Sequence, residues 1–174
     1  MRKSLVFLMV AALALLLASP VLAQPKGGAL MKEDVFTPIA KGYDFIRDGK
    51  YEAAKFEFKN AVAKDPNNSF ALNNLAVLEE QGGKFNDAMA FLKQATVAAA
   101  DYKDKVAQTC FAGGGCMAVK PVRAVADKSA IADIVAENIK KLEAKMAAAK
   151  TPAPPGSPPA VMPVTPTPPA KKDK

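Results

Sequence analysis

The chain has 174 residues with 24 basic and 17 acidic side chains, a net charge of +7, and half of its residues are hydrophobic. It contains neither His nor Trp, which excludes the haem-attachment pattern, zinc sites built on His and His-based catalytic triads. Its two cysteines leave a thiolate metal site two ligands short.

Residues 1–23 read as a secretory leader. Met1-Arg2-Lys3 is a short basic start and Leu5–Ala18 is an unbroken apolar run of fourteen residues. Ser19-Pro20 breaks it, and Val21-Leu22-Ala23 puts small residues where a signal peptidase reads. A helix of that length reaches about 21 Å, short of the roughly 30 Å of a bilayer core. Cleavage after Ala23 and a periplasmic mature chain are therefore expected, with an uncleaved N-terminal membrane anchor as the alternative. No Cys follows the cleavage point, so a lipid anchor is not expected there.

Removing residues 1–23 takes away two basic residues and no acidic one, leaving a mature chain of +5. That excess is uneven. Ala40–Ala100 holds eight residues of each sign, whereas Asp101–Lys174 holds twelve basic and seven acidic. No Lys/Arg run exceeds two and no basic stripe is interleaved with aromatics, so nucleic acid is not an expected partner.

Residues 24–32 (QPKGGALMK) form a short leader. From Glu33 to about Ala100 the apolar spacing is helical. Within it the chain repeats itself after 34 residues without a gap: Gly49 falls on Gly83, Lys50 on Lys84, Tyr51 on Phe85, Ala54 on Ala88, Phe58 on Leu92, Lys59 on Lys93 and Ala61 on Ala95. Upstream, Gly42 falls on Ala76. Small residues at these points let two helices approach closely, and the large ones fill the space between units. Asp48-Gly49 and Gly82-Gly83 provide the tight turn inside each helical pair. Asp65-Pro66-Asn67-Asn68 ends the second helix, and Asn68 or Ser69 can cap the next.

The period and the small–large–small pattern resemble the tetratricopeptide repeat. The resemblance implies an all-α fold, two helical hairpins in a right-handed stack covering about 35–68 and 69–102. It departs from the family pattern at Pro38, Lys41, Glu79 and Ala100, where the family usually has Trp, Leu, Tyr and Pro. Pro38 suggests a shortened first helix. The resemblance also implies a docking scaffold without catalysis or cofactor, whose inner face binds a protein or peptide. Carried onto this chain, that face includes Ile39, Tyr43, Arg47, Phe70, Asn73, Asn74, Val77 and Gln81. Asn73 and Asn74 stand out because an Asn side chain can bridge to a bound backbone; for Phe70 and Val77, core packing is the alternative. The branch of the family that grips a terminal carboxylate uses Lys and Asn where this chain has Ile39 and Tyr43.

Residues 103–126 hold both cysteines around FAGGG, with apolar residues alternating on either side. A small β-hairpin turning over Gly113-Gly114-Gly115 is expected, stapled by a Cys110–Cys116 disulfide in an exported protein. A redox-active pair and a metal site are the alternatives, although the spacing is longer than C-x-x-C.

From Asp127 to Lys150, Ile131, Ile134, Val135, Ile139, Leu142 and Met146 recur at three and four residues, one apolar stripe with Asp133, Glu137, Lys140 and Lys141 opposite. This helix is expected to close the array, because two units alone leave a face uncovered, with Asp127 or Ser129 at its start. Residues 151–174 contain nine prolines and are expected to remain disordered and extended. The terminal Lys171-Lys172-Asp173-Lys174 leaves contact of this tail with membrane or cell wall open.

The sequence thus implies an envelope adaptor that binds a partner protein through the inner face. An accessory redox or enzyme-assisting factor acting through Cys110 and Cys116 is the alternative.

Overall fold

The structure is a computed structural model; it describes residues 30–111 and 115–150, with the side chains of 108–111 outside that description. The leader at 1–23 and the proline-rich segment 151–174 lie outside the described residues. Among the described residues four helices come first: α1 (Glu33–Arg47), α2 (Tyr51–Lys64), α3 (Ser69–Gln81) and α4 (Phe85–Thr96). Contacts run from α1 to α2, α2 to α3 and α3 to α4, so the helices form two pairs stacked on one another.

The 34-residue repeat is visible atom by atom in the turns. Lys50 N donates to Phe45 O at 2.8 Å, and Lys84 N to Glu79 O at the same distance. Gly49 and Gly83 take φ of 72° and 76°, a left-handed backbone that only glycine adopts without strain. The interior follows the same rule. A Cβ on Gly42 would lie 2.5 Å from Phe58 Cε1, so the large ring requires the missing side chain. The second unit has Ala76 and Leu92 at these positions, both fully buried, trading a larger residue on one helix for a smaller one on the other.

Pro38 does not shorten α1, contrary to expectation: the helix starts at Glu33 and carries Pro38 inside it, buried. A proline there deprives the Asp34 carbonyl of its helical partner. Lys64 Nζ from α2 donates to that carbonyl at 3.0 Å instead. Glu79, which replaces the family's usual Tyr, pairs with Lys55 at 2.5 Å across α2 and α3. The start of α3 is capped by Asn68, whose Oδ1 accepts from Ala71 N at 3.0 Å.

After a single 3-10 turn at Ala99–Asp101 the chain forms β1 (Asp104–Phe111) and β2 (Met117–Val125). They pair antiparallel, with Cys110 opposite Ala118 and Phe111 opposite Met117, and with irregularities between Asp104 and Gln108. The fold is therefore mostly helical with a two-stranded sheet, and the hairpin belongs to the core: Cys116, Ala118 and Val119 are fully buried.

Helix α5 (Ala130–Lys150) closes the molecule, touching α4, α3, the 3-10 turn and β1. Ile131, Val135 and Leu142 are fully buried, and Ile134, Ile139 and Met146 are partly so. Ser129 begins the helix: its Oγ accepts from Ala132 N at 3.2 Å and donates to Ala99 O at 2.6 Å. Among the described residues no helix is long and apolar enough to cross a membrane.

Candidate functional site

Strand β2 lies against α1 and α3, across the face on which the inner-face residues were expected. Ile39, Tyr43, Phe70, Asn73, Asn74 and Val77 are all buried there, none more than 1% exposed. Phe70 meets the Tyr102 ring edge-on at 6.1 Å between centroids, as a core residue does. Arg47 is exposed and Gln81 half-buried, so these two lie at the margin.

The two asparagines hold a backbone, and it is the chain's own. Asn74 Nδ2 donates to Val119 O and its Oδ1 accepts from Val119 N, both at 2.9 Å. One side-chain amide thereby fills both hydrogen-bonding positions that a third strand would fill on the outer edge of β2. Two residues earlier on the strand, Asn73 Nδ2 donates to Met117 O at 2.9 Å. Asn138 of α5 completes that position: its Oδ1 accepts from Met117 N at 2.8 Å and its Nδ2 donates to Met117 O at 3.0 Å. The same Nδ2 donates to Asn73 Oδ1 at 2.7 Å, which links the cap to the repeats.

Glu80 holds the turn end of the strand. Its carboxylate, 1% exposed, accepts from Gly115 N at 2.8 Å and Cys116 N at 2.9 Å. Lys145 Nζ approaches Oε1 at 2.9 Å. Burial pushes the Glu80 carboxyl up, but the Lys145 ammonium and the two amides outweigh it and hold the group below its ordinary range. At the other end, Lys120 pairs with Asp44 at 2.9 Å. Arg123 pairs with Glu33 and lies 4.6 Å from the centre of the Phe36 ring.

The expected Cys110–Cys116 disulfide is not formed. Cys116 is a free, buried thiol whose Sγ donates to Asn138 O at 3.5 Å. The strand register sets Cys110 opposite Ala118, and Cys116 lies before the start of β2, outside the paired ladder. The Cys110 side chain lies outside the described residues. Burial, and then the Glu80 carboxylate, push the Cys116 thiol up to about 12. It stays protonated at neutral pH, unlike the depressed thiols of redox motifs.

Among the described residues one buried side chain is incompletely satisfied. Asp104 is 1% exposed; its Oδ1 accepts from Met31 N at 3.3 Å and its Oδ2 has no partner. Burial pushes its carboxyl up.

Glu80 and Asn138 are the site residues that sequence reasoning missed. Asn138 had a signal: it sits three residues after Val135 and four before Leu142, a polar residue on the apolar stripe. Glu80 had none, since nothing local distinguishes it from Glu79.

Stacked helical pairs whose inner face holds an extended strand define a helical-repeat scaffold. Residues 45–109 match the tetratricopeptide repeat family, in agreement with the two stacked helical pairs of that stretch. Such repeats generally mediate protein–protein interaction and are typically non-catalytic. Neither a curated protein nor a solved structure matches the chain.

Proposed function

We propose that this protein is a non-catalytic interaction scaffold of the bacterial cell envelope, exported through residues 1–23. It binds an extended segment of a partner polypeptide on the inner face of its repeats. The observation that carries this reading is the Asn74 amide on both backbone groups of Val119. That contact reads backbone and not side chain, which is how a groove holds an extended peptide. Asn73, Asn138 and Glu80 supply further contacts of the same kind along one line. The redox alternative loses its support in the protonated, buried Cys116 thiol.

The test places a photo-crosslinking amino acid at Gln81, on the margin of the groove, in the full-length chain expressed in a bacterial envelope. The mature chain should begin at Gln24 on N-terminal sequencing and give a discrete adduct with one partner. Adding Asn74→Leu should remove that adduct. A chain still beginning at Met1 would contradict cleavage after Ala23, and one recovered only from the cytosol would contradict the envelope assignment. An adduct unaffected by Asn74→Leu would move the partner off the inner face.

A further inference from the structure

The hairpin occupies the face that the proposed partner would need. Its seat has an unusual composition for a core element. Gly115, Cys116, Met117 and Val119 are held through their backbone groups by hydrogen bonds with Glu80, Asn73, Asn74 and Asn138. The side chains buried with them are small or medium: Cys116, Ala118 and Val119. Nothing in the helical stack is routed through the hairpin, because α1–α2, α2–α3, α3–α4 and α4–α5 all touch directly. The holding groups also match any extended chain, since each contacts main-chain atoms that every non-proline residue carries.

We infer that β2 is a built-in competitor for the groove. The partner is then an extended segment that presents the same backbone, with small side chains at the positions of Cys116 and Ala118 and a β-branched one at Val119. This rests on the proposed partner-binding function. It adds that binding proceeds by exchange: the partner's strand replaces β2 between α3 and α5, and the hairpin swings out with its ladder intact. A segment with large side chains at the two small positions, or proline at the Met117 or Val119 position, is excluded. The first would not fit a fully buried site, and the second lacks the N–H that Asn138 or Asn74 accepts from.

The hairpin can be unseated without altering the groove. The N–H groups of Met117 and Val119 point to Asn138 and Asn74, so proline at both positions removes these two holding contacts and weakens the seat, and an outward-facing N–H is where a strand tolerates proline. The probe is a labelled peptide of the natural sequence Gly114–Val122, titrated into the mature full chain. It should bind the Met117→Pro/Val119→Pro protein at least 10-fold more tightly than the natural protein. Adding Asn74→Leu should remove that gain. A double-proline protein that loses its helical circular dichroism, or that folds and gains no affinity, overturns the inference. Hydrogen exchange on the natural protein gives an independent reading. The Met117 and Val119 amides should exchange at least 10-fold faster than the amides of Leu75 and Ala76 in α3. Equal protection would mean that the hairpin leaves only on global unfolding, and would overturn the inference. Peptide exchange without a crosslinked envelope partner would leave the groove mechanism standing and remove the wider function; a partner adduct with no peptide exchange would do the reverse.

Discussion

The repeats and the hairpin are held by different chemistry. Within α1–α4 the close contacts are between complementary apolar volumes, Gly42 against Phe58 and its counterpart pair Ala76 and Leu92. Between the helices and the hairpin they are hydrogen bonds between main chain and buried Asn and Glu side chains, the Glu80 carboxylate only accepting. The first kind is non-directional and tolerates a size exchange if total volume is kept. The second is directional, and removing one partner strands the other in a dry interior. The repeats should therefore forgive compensated changes that the hairpin seat does not.

The largest effect is expected at the cap that both regions share. Ile131→Asp places a charge at a fully buried position, and lost burial plus desolvation should cost on the order of 4 kcal/mol. Lys140→Asp, on the exposed face, should change stability by less than about 0.5 kcal/mol. Urea unfolding of both variants checks this, and equal tolerance would mean that the stripe does not close the array. Ile139, half-buried, is a weaker probe of the same contact.

Changing Glu80 to Gln should cost about 1–3 kcal/mol, because a second donor then faces the amides of Gly115 and Cys116. The pH dependence gives the sign. The folded Glu80 carboxyl lies below its ordinary value of 4.5, so its contribution is present above that value and is lost as pH falls through the folded pKa. Acid titration of stability should be steeper below pH 4.5 in the natural protein than in Glu80→Gln.

Gly42→Ala tests the apolar half. The new methyl falls 2.5 Å from the Phe58 ring, which should cost about 1–3 kcal/mol. Combining it with Phe58→Leu copies the Ala76 and Leu92 pair of the second unit and should recover most of that loss. A double-mutant cycle with no coupling would show that the two sites do not share one volume.

The smallest effect is a gain. Burial raises the Asp104 carboxyl, so ionisation above the folded pKa works against the fold, and stability declines as pH rises through that pKa. Asp104→Asn keeps an oxygen for Met31 N and removes the charge. Thermal melts at pH 7 should show stabilisation of about 0.5–1 kcal/mol, vanishing toward pH 3.

What could be read in the sequence follows the same division. Local rules carried the repeats: Gly49 and Gly83 marked left-handed turns, the period of 34 aligned the buried alanines, and the helix starts were narrowed to Asn68 or Ser69 and to Asp127 or Ser129, of which Asn68 and Ser129 cap. The stripe of α5 was legible for the same reason. The start of α1 was misread because Pro38 was judged by its own helix, whereas Lys64, which satisfies the freed carbonyl, comes from the next one. Asn73 and Asn74 were expected to bridge to a partner's backbone, and nothing local showed that Met117 and Val119 of the same chain meet them. Contacts such as Glu80 to Cys116 join positions 36 apart, with no shared period to reveal them. The cysteine pairing failed on register, which side-chain alternation suggests but does not fix.

The seat of β2 on the repeats is tested most directly by nuclear Overhauser contacts in the mature protein. The side-chain amide protons of Asn74 should show cross-peaks to the Val119 residue, and those of Asn138 to Met117. In Asn74→Ala, the Val119 amide should shift while the amides of α2 stay in place. Cross-peaks absent from an otherwise assigned spectrum, or Asn74 side-chain protons exchanging freely with water, would contradict a hairpin held in the groove.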